Sequence, residues 1–473
     1  MDARLSAVFS EVPPKPDYNP VRKAIEASKD NPEVAATLKL FSSMPPSTSV
    51  LANPVRHHHP IPASNTTLQL DIRSFTIRGK LFEEDIISGR ADAIRVIFVG
   101  LFGRTPSDEE TALFRQFLAE ALTLGIERSR EKTQEFMRTF PNAAPDIAIQ
   151  HWASFRKASR NIGAINSSRP PADLLAEMIE IHMENIAVAG LASTMRAGMA
   201  DSNTRFDDPF EFLFSMLLHR AVNRDEARIL GQLGAIQVHH GSAGSNMVAR
   251  YLATLHTRSV SDLFTASQMA LDSARHFGAI SDMTDFVAVL ERTPEGERDA
   301  AIRARILKGG LPTFGHPEIQ AAGREDHLEM DPRPALYLAP LFEAIDKGTV
   351  KVTDKMLKRA AMVERIYQIA LFEGVEKSTG TGRLRLTPNT DFGAWLVQEV
   401  LGIEEPDRTL LSYAYRGFGW MMDVREQLQQ PIVRPVIPPD PAIIPGPATN
   451  ETIPGVISSV HERLVKGNAF SRH

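Results

Sequence analysis

The chain has 473 residues, 43% of them hydrophobic and 23% charged, with a net charge of −5 and no cysteine. That length suits two or three domains with sizeable cores, and the charge balance gives no reason to expect nucleic acid as a partner. Disulfides, thiolate metal sites and thiol nucleophiles are excluded, and no apolar run reaches the roughly 18 residues of a membrane span.

The first stretch, MDARLSAVFSEVPPKPDYNP, shows neither an apolar signal core nor an Arg-rich transit pattern, so a cytoplasmic location is expected. Residues 1–65 are rich in Pro, Ser and Asn without periodicity and read as a flexible N-terminal arm. Within it, His57 to His59 lack accompanying carboxylates and read as a solvated segment, so no metal is expected. From Leu68, LQLDIRSFTIRG alternates like a strand and is broken at Gly79. Helical patterns then dominate. SDEETALFRQFLAEALTLG opens with a capping box, Ser107 and Glu110, and its apolar face should end at Gly125. PADLLAEMIEIHMENIAVAGLA and DPFEFLFSMLLHRAV repeat the amphipathic pattern, and helices continue to about residue 430. Strand signals are few, so the fold class is mostly α. Beyond Pro431 the proline-rich PIVRPVIPPDPAIIPGP excludes helix and suggests an extended segment, a disordered linker or a strap, with Arg434 among apolar residues favouring the strap.

Most of the 14 histidines read as bland, and His151, His182 and His219 sit within helical, apolar-rich patterns. His239 and His240, in VHHGSAGSN, His276 in SARHFGA and His316 in TFGHPEI lie beside Gly, Ser or Pro instead. There a ring can be presented as a hydrogen-bond donor without a crowding helical turn. Asp391 stands in LTPNTDFGAW between a Pro-Asn turn and a helix. Arg333 (MDPRPA), Arg416 (YAYRGFGW) and Arg434 (IVRPV) are placed by the pattern at element ends beside Gly or Pro. Guanidinium forks of this kind suit carboxylates. The glycine-rich GSAGSN and STGTGR match no phosphate-loop or dinucleotide fingerprint and read as plain turns.

Taken in order, VHHGSAGSNMVAR, SARHFGA, FGHP, DPRP, LTPNTDF, YRGFGW and VRP resemble the citrate synthase family. Its sequences run through D-H-E, P-L-H-G-G-A, G-F-G-H, D-P-R, Y-P-N-V-D-F, A-R-x-x-G-W and a final R-P, and the similarity extends from about Arg78 to Pro435. The resemblance implies a two-domain helical fold: a large helical domain (66–276 and 386–473, ending in the proline-rich strap) and a small closing domain (277–385). It implies a transferase that condenses acyl-CoA, acetyl-CoA by default, with oxaloacetate through an enolate. Asp391 matches the base, His276 the histidine that stabilises the enolate, and His316 the one that polarises the oxaloacetate carbonyl. His240, Arg333 and Arg416 match residues gripping oxaloacetate. Arg434 matches an arginine lent by the neighbouring subunit, which makes the expected assembly a homodimer. Acyl-CoA is a co-substrate, and no permanently bound cofactor is implied.

Departures from the family pattern concentrate on the CoA side. D-H-E reads H-H-G at His239 to Gly241, Phe277 replaces a glycine, G-H-R becomes G-H-P, and the interval from His316 to Asp331 is longer than usual. Arg324, inside that interval, is a candidate replacement contact for a CoA phosphate. The neighbouring activities, 2-methylcitrate synthase and citryl-CoA lyase, therefore stay open, as does a non-catalytic paralogue with a binding or structural role.

Overall fold

The computed structural model describes residues 76–77, 80–81 and 92–428, apart from 161, 167, 170, 199–207, 240–243, 273–277, 316–330, 332 and 377–382. The N-terminal arm, the His57–His59 tract and the proline-rich strap lie outside the described residues. Two short antiparallel ladders, β1 (Thr76–Ile77) with β2 (Lys80–Leu81) and β3 (Val375–Glu376) with β4 (Arg383–Leu384), are the named strands among them. Everything else of regular length is helix: α1 (Ala93–Phe102), α2 (Asp108–Thr139), α3 (Pro145–Ser159), α4 (Pro171–Arg196), α5 (Pro209–Leu218), α6 (Arg224–Gln237), α7 (Gly244–Thr254), α8 (Val260–Leu271), α9 (Gly278–Arg292), α10 (Arg298–Gly309), α11 (Arg333–Asp346), α12 (Asp354–Tyr367), α13 (Thr390–Leu401) and α14 (Arg408–Gln427). The mostly α class is therefore observed. No helix among the described residues is long and apolar enough to cross a membrane.

The capping box at Ser107 and Glu110 forms as the sequence dictates, with both reciprocal hydrogen bonds present. The end of that helix does not: α2 runs through Gly125 to Thr139. Gly125 is a packing glycine instead. A Cβ there would sit 2.9 Å from Glu184 Cα on α4, so its absence lets the two helices cross in contact. The helix-favouring run IERSREKTQEFM carries α2 onward.

Helix α4 is the hub. Every residue from Leu174 to Thr194 except Glu177 is buried, because α2, α3, α5 and α14 surround it. The single apolar face expected from its pattern is thus replaced by burial all round, and its polar positions pair internally. Glu184 accepts hydrogen bonds from Arg156 (2.9 Å), Arg160 (2.8 Å) and Arg128 (3.0 Å). Burial opposes its charge, but the three guanidiniums hold the carboxyl well below the usual range. Removing one partner from such a cluster would leave an uncompensated buried charge, at a cost of about 3 to 5 kcal/mol.

Helix α14 fills a trough formed by α1, α4, α6, α7 and α8. All its residues but Thr409 are buried. Its YRGFGW motif is therefore helical through and through, and Arg416 lies mid-helix rather than at an element end. Gly419 is required by the backbone of the segment it crosses: a Cβ there would meet Val238 O at 2.1 Å. His219, read from the sequence as a helix residue, instead closes α5 as a left-handed C-cap (φ 53°).

Candidate functional site

The site begins with two helix N-termini. Gly393, in the first turn of α13, has no Cβ, and one there would fall 2.6 Å from the Tyr337 ring and 3.0 Å from Pro334 Cα of α11. This close approach sets the start of α11 beside the start of α13, and the Tyr337 hydroxyl is hydrogen-bonded to Thr390. Asp391 and Arg333, 58 positions apart in the sequence by subtraction, share that junction. Both helices direct the positive ends of their dipoles towards it.

Asp391 stands second in α13. Asn389 is the N-cap, its side-chain oxygen accepting from the backbone N–H of Asp391 (2.9 Å) and Phe392 (3.4 Å). The Asp391 carboxyl is not consumed in capping. Asp391 keeps some accessible surface, yet the packing around its carboxyl outweighs the attraction of Arg333 and Arg416 and pushes its pKa up to about 6. A carboxylate so raised is a stronger base than a solvated one and is still ionised at neutral pH.

Arg333 and Arg416, whose charges both act on Asp391, are buried, 1% and 2% exposed. Arg333 makes a two-point pair with Asp331, Nε at 2.9 Å and Nη2 at 2.7 Å. Burial opposes its charge, but Asp331 more than restores it, and Nη1 stays outside that pairing. Arg416 is handled differently. Its Nη1 donates to Asn246 Oδ1 at 3.0 Å, its Nε is buried with no partner, and no carboxylate among the described residues lies within ion-pairing distance. Burial lowers its pKa to about 10, with Asp391 and Asp423 partly compensating. It stays charged at neutral pH, with its charge available to a ligand.

The turn that leads into His316 is fastened to the entrance of α13. Gly315 N donates to Thr387 O (2.7 Å), Asn389 N to Thr313 O (3.0 Å), and Asn389 Nδ2 to Gly315 O (3.0 Å). Phe314 bridges to Pro388, and its ring meets Phe392 edge-on at 5.1 Å. Thr313 (φ 63°) and Gly315 (φ 80°) are both left-handed. For a β-branched threonine that conformation is costly and persists only where the surroundings hold it.

Of the sequence candidates, Asp391, Arg333 and Arg416 are thus brought together electrostatically. His240, His276, His316, Arg324 and Arg434 lie outside the described residues, as do Gly241, Phe277 and the interval after His316. Sequence reasoning missed Asn246, Asn389, Tyr337 and Asp423. Asn389 had a signal, an Asn immediately before a helix. Asp423 had a weaker one, its spacing of seven from Arg416, which places both on one helix face. Asn246 had none. Away from this region, His219, Glu404 and Asp407 place possible ligand atoms within 4.8 Å of one another. Arg196 already bonds both carboxylates (3.1 and 2.6 Å), supplying the cation there itself.

The model of the family described as citrate synthase, C-terminal domain, matches residues 66–436. No curated protein matches the chain. Among solved structures, citrate synthase from Thermoplasma acidophilum, in a ternary complex with carboxymethyl coenzyme A and oxaloacetate, is similar at TM-score 0.56 and 20% identity, over 80% of this chain and 92% of that one. Citrate synthase from Pyrobaculum aerophilum is similar at TM-score 0.56 and 19% identity (80% and 88% covered). That from Thermotoga maritima gives 0.57 and 18% (80% and 90% covered). At these identities the likeness concerns the fold.

Proposed function

Because the chain belongs to the citrate synthase family, we propose that it condenses an acyl-CoA, acetyl-CoA by default, with oxaloacetate to give citrate and CoA. The observation that carries this reading is the buried junction of Asp391, Arg333 and Arg416: a strengthened carboxylate base beside two guanidiniums, one of which has no carboxylate partner among the described residues.

In this mechanism the Asp391 carboxylate takes a proton from the carbon next to the thioester carbonyl. His276 donates a hydrogen bond to the thioester oxygen as negative charge develops there, lowering the barrier where it is highest. The enolate carbon then attacks the ketone carbon of oxaloacetate. The ketone oxygen becomes an alkoxide and receives the proton that His316 supplies. Arg416, Arg333 and His240 hold oxaloacetate's carboxylates and carbonyl, and Arg434 of a second copy completes that grip in a homodimer. Water cleaves the resulting acyl thioester, releasing CoA. Residues 277–385 act as a small domain closing on the remainder (66–276 and 386–473), which excludes water and strengthens each of these hydrogen bonds. Arg324 is the candidate contact for a CoA phosphate.

The test is to follow free thiol release from acetyl-, propionyl- and longer acyl-CoA in the presence of oxaloacetate. A chain without cysteine adds no background. Release with acetyl-CoA is expected. Release with propionyl-CoA alone would make it a 2-methylcitrate synthase. No release with any donor refutes condensation, and cleavage of citryl-CoA would then separate a lyase from a non-catalytic relative.

A further inference from the structure

Arg416 differs from most of the buried arginines among the described residues. Arg128, Arg156, Arg250 and Arg333 each meet a carboxylate directly. Arg416 meets the neutral amide oxygen of Asn246. A carboxylate at that place would neutralise the guanidinium and compete with any anionic ligand. A neutral acceptor orients it and leaves the charge in play.

The amide itself has a fixed sense. Asn246, 0% exposed on α7, donates Nδ2 to Asp423 Oδ2 at 2.5 Å. An ionised carboxylate only accepts, so the opposite end of the amide, the oxygen, must face Arg416. Asp423, also 0% exposed, is kept ionised in turn. Burial opposes its charge, but Arg250 (2.7 Å from Oδ1) and His239 Nε2 (3.0 Å from Oδ1) outweigh it. Facing a carboxylate, that His239 nitrogen carries its proton. Asp423 is on α14 with Arg416, two turns further on, so acceptor and guanidinium ride on one rigid element.

We propose that Asn246 and Asp423 form a positioning relay that aims Arg416 at a substrate carboxylate: Asp423 sets the sense of the Asn246 amide, and the amide oxygen sets the guanidinium. His239, where the family has an aspartate, serves this relay by helping to hold Asp423. The proposal rests on Arg416 being a residue that grips oxaloacetate. Neither Asn246 nor Asp423 is a catalytic residue.

Calorimetry with oxaloacetate on the full-length protein, paired with steady-state kinetics, tests it. Asn246→Ala should weaken oxaloacetate binding about tenfold, the effect of losing one hydrogen bond to a charged group, while leaving the KM for acyl-CoA unchanged. A general loosening of the core would move both. Asp423→Asn lets the amide turn over and should weaken oxaloacetate in the same way. Because the two act in series, the double variant should bind no worse than the weaker single variant. Additive losses, or unchanged binding by Asn246→Ala, would overturn the relay. If the alanine variant does not fold, Asn246→Ser, whose hydroxyl is too short to reach both partners, decides the same question. Wild-type protein that binds no oxaloacetate would refute the role of Arg416 itself, a different failure from an intact wild type with an indifferent Asn246 variant.

Discussion

Replacing Asp391 by Asn should abolish turnover and yet stabilise the protein at alkaline pH. The rise of the carboxyl pKa from the usual 3.8 to about 6 corresponds to about 3 kcal/mol against the ionised form. Because the folded state holds the proton more tightly than the unfolded chain, stability falls as pH rises through the window from 3.8 to 6. Above pH 6 the full penalty of about 3 kcal/mol is present, and below 3.8 it vanishes. Asparagine mimics the neutral acid in shape and polarity. Asp391→Asn should therefore gain up to about 3 kcal/mol over wild type at pH 8 and much less at pH 4.5, read by denaturant unfolding at the two pH values. Its CoA release should fall at least about a hundredfold, the contribution of a general base. An equal effect on stability at both pH values would mean that burial does not tune this carboxyl. Turnover within about tenfold of wild type would remove Asp391 from the base role.

Three further outcomes follow. The pH profile of kcat/KM should show an acidic limb near pH 6, where Asp391 takes up its proton, and Asp391→Glu should move that limb; a flat profile between pH 5 and 8 contradicts the assignment. Gly419→Ala forces a Cβ against Val238 O, a backbone atom that cannot swing aside, and should cost about 3 kcal/mol in chemical denaturation, whereas an unchanged midpoint would show that α14 can shift freely. Arg434→Ala should weaken oxaloacetate binding without dissociating the proposed homodimer in sedimentation; a wild-type protein that is monomeric and active would refute a shared site.

Class and site were legible to different depths for physical reasons. Helical periodicity and the Ser107–Glu110 capping box are local, so both could be read directly. Gly125 was misread because its role depends on Glu184 of another helix, which no local pattern reveals. Arg416 was misplaced for a related reason: two glycines in RGFGW look like a loop until the elements that need the space are known. Asp391, Arg333 and Arg416 were picked out by ordered motifs, and the structure adds what ordering cannot: burial, the raised carboxyl and a guanidinium with no carboxylate partner among the described residues. Asn246 shows the limit. An asparagine in a glycine- and serine-rich segment is unremarked until its two partners, 170 and 177 positions away, are seen.

The placement of α14 also bears on how the protein is made. The helices it lies among, α1, α4, α6, α7 and α8, are all synthesised before it. Until residue 427 has left the ribosome, the trough lined by residues such as Phe102, His182 and Phe264 lacks α14, the described element that fills it. Nascent chains thus carry a large apolar groove through most of translation, a state prone to aggregation and suited to capture by chaperones. A ribosome stalled just before codon 408 would leave a chain that holds every trough helix but lacks the one that fills it.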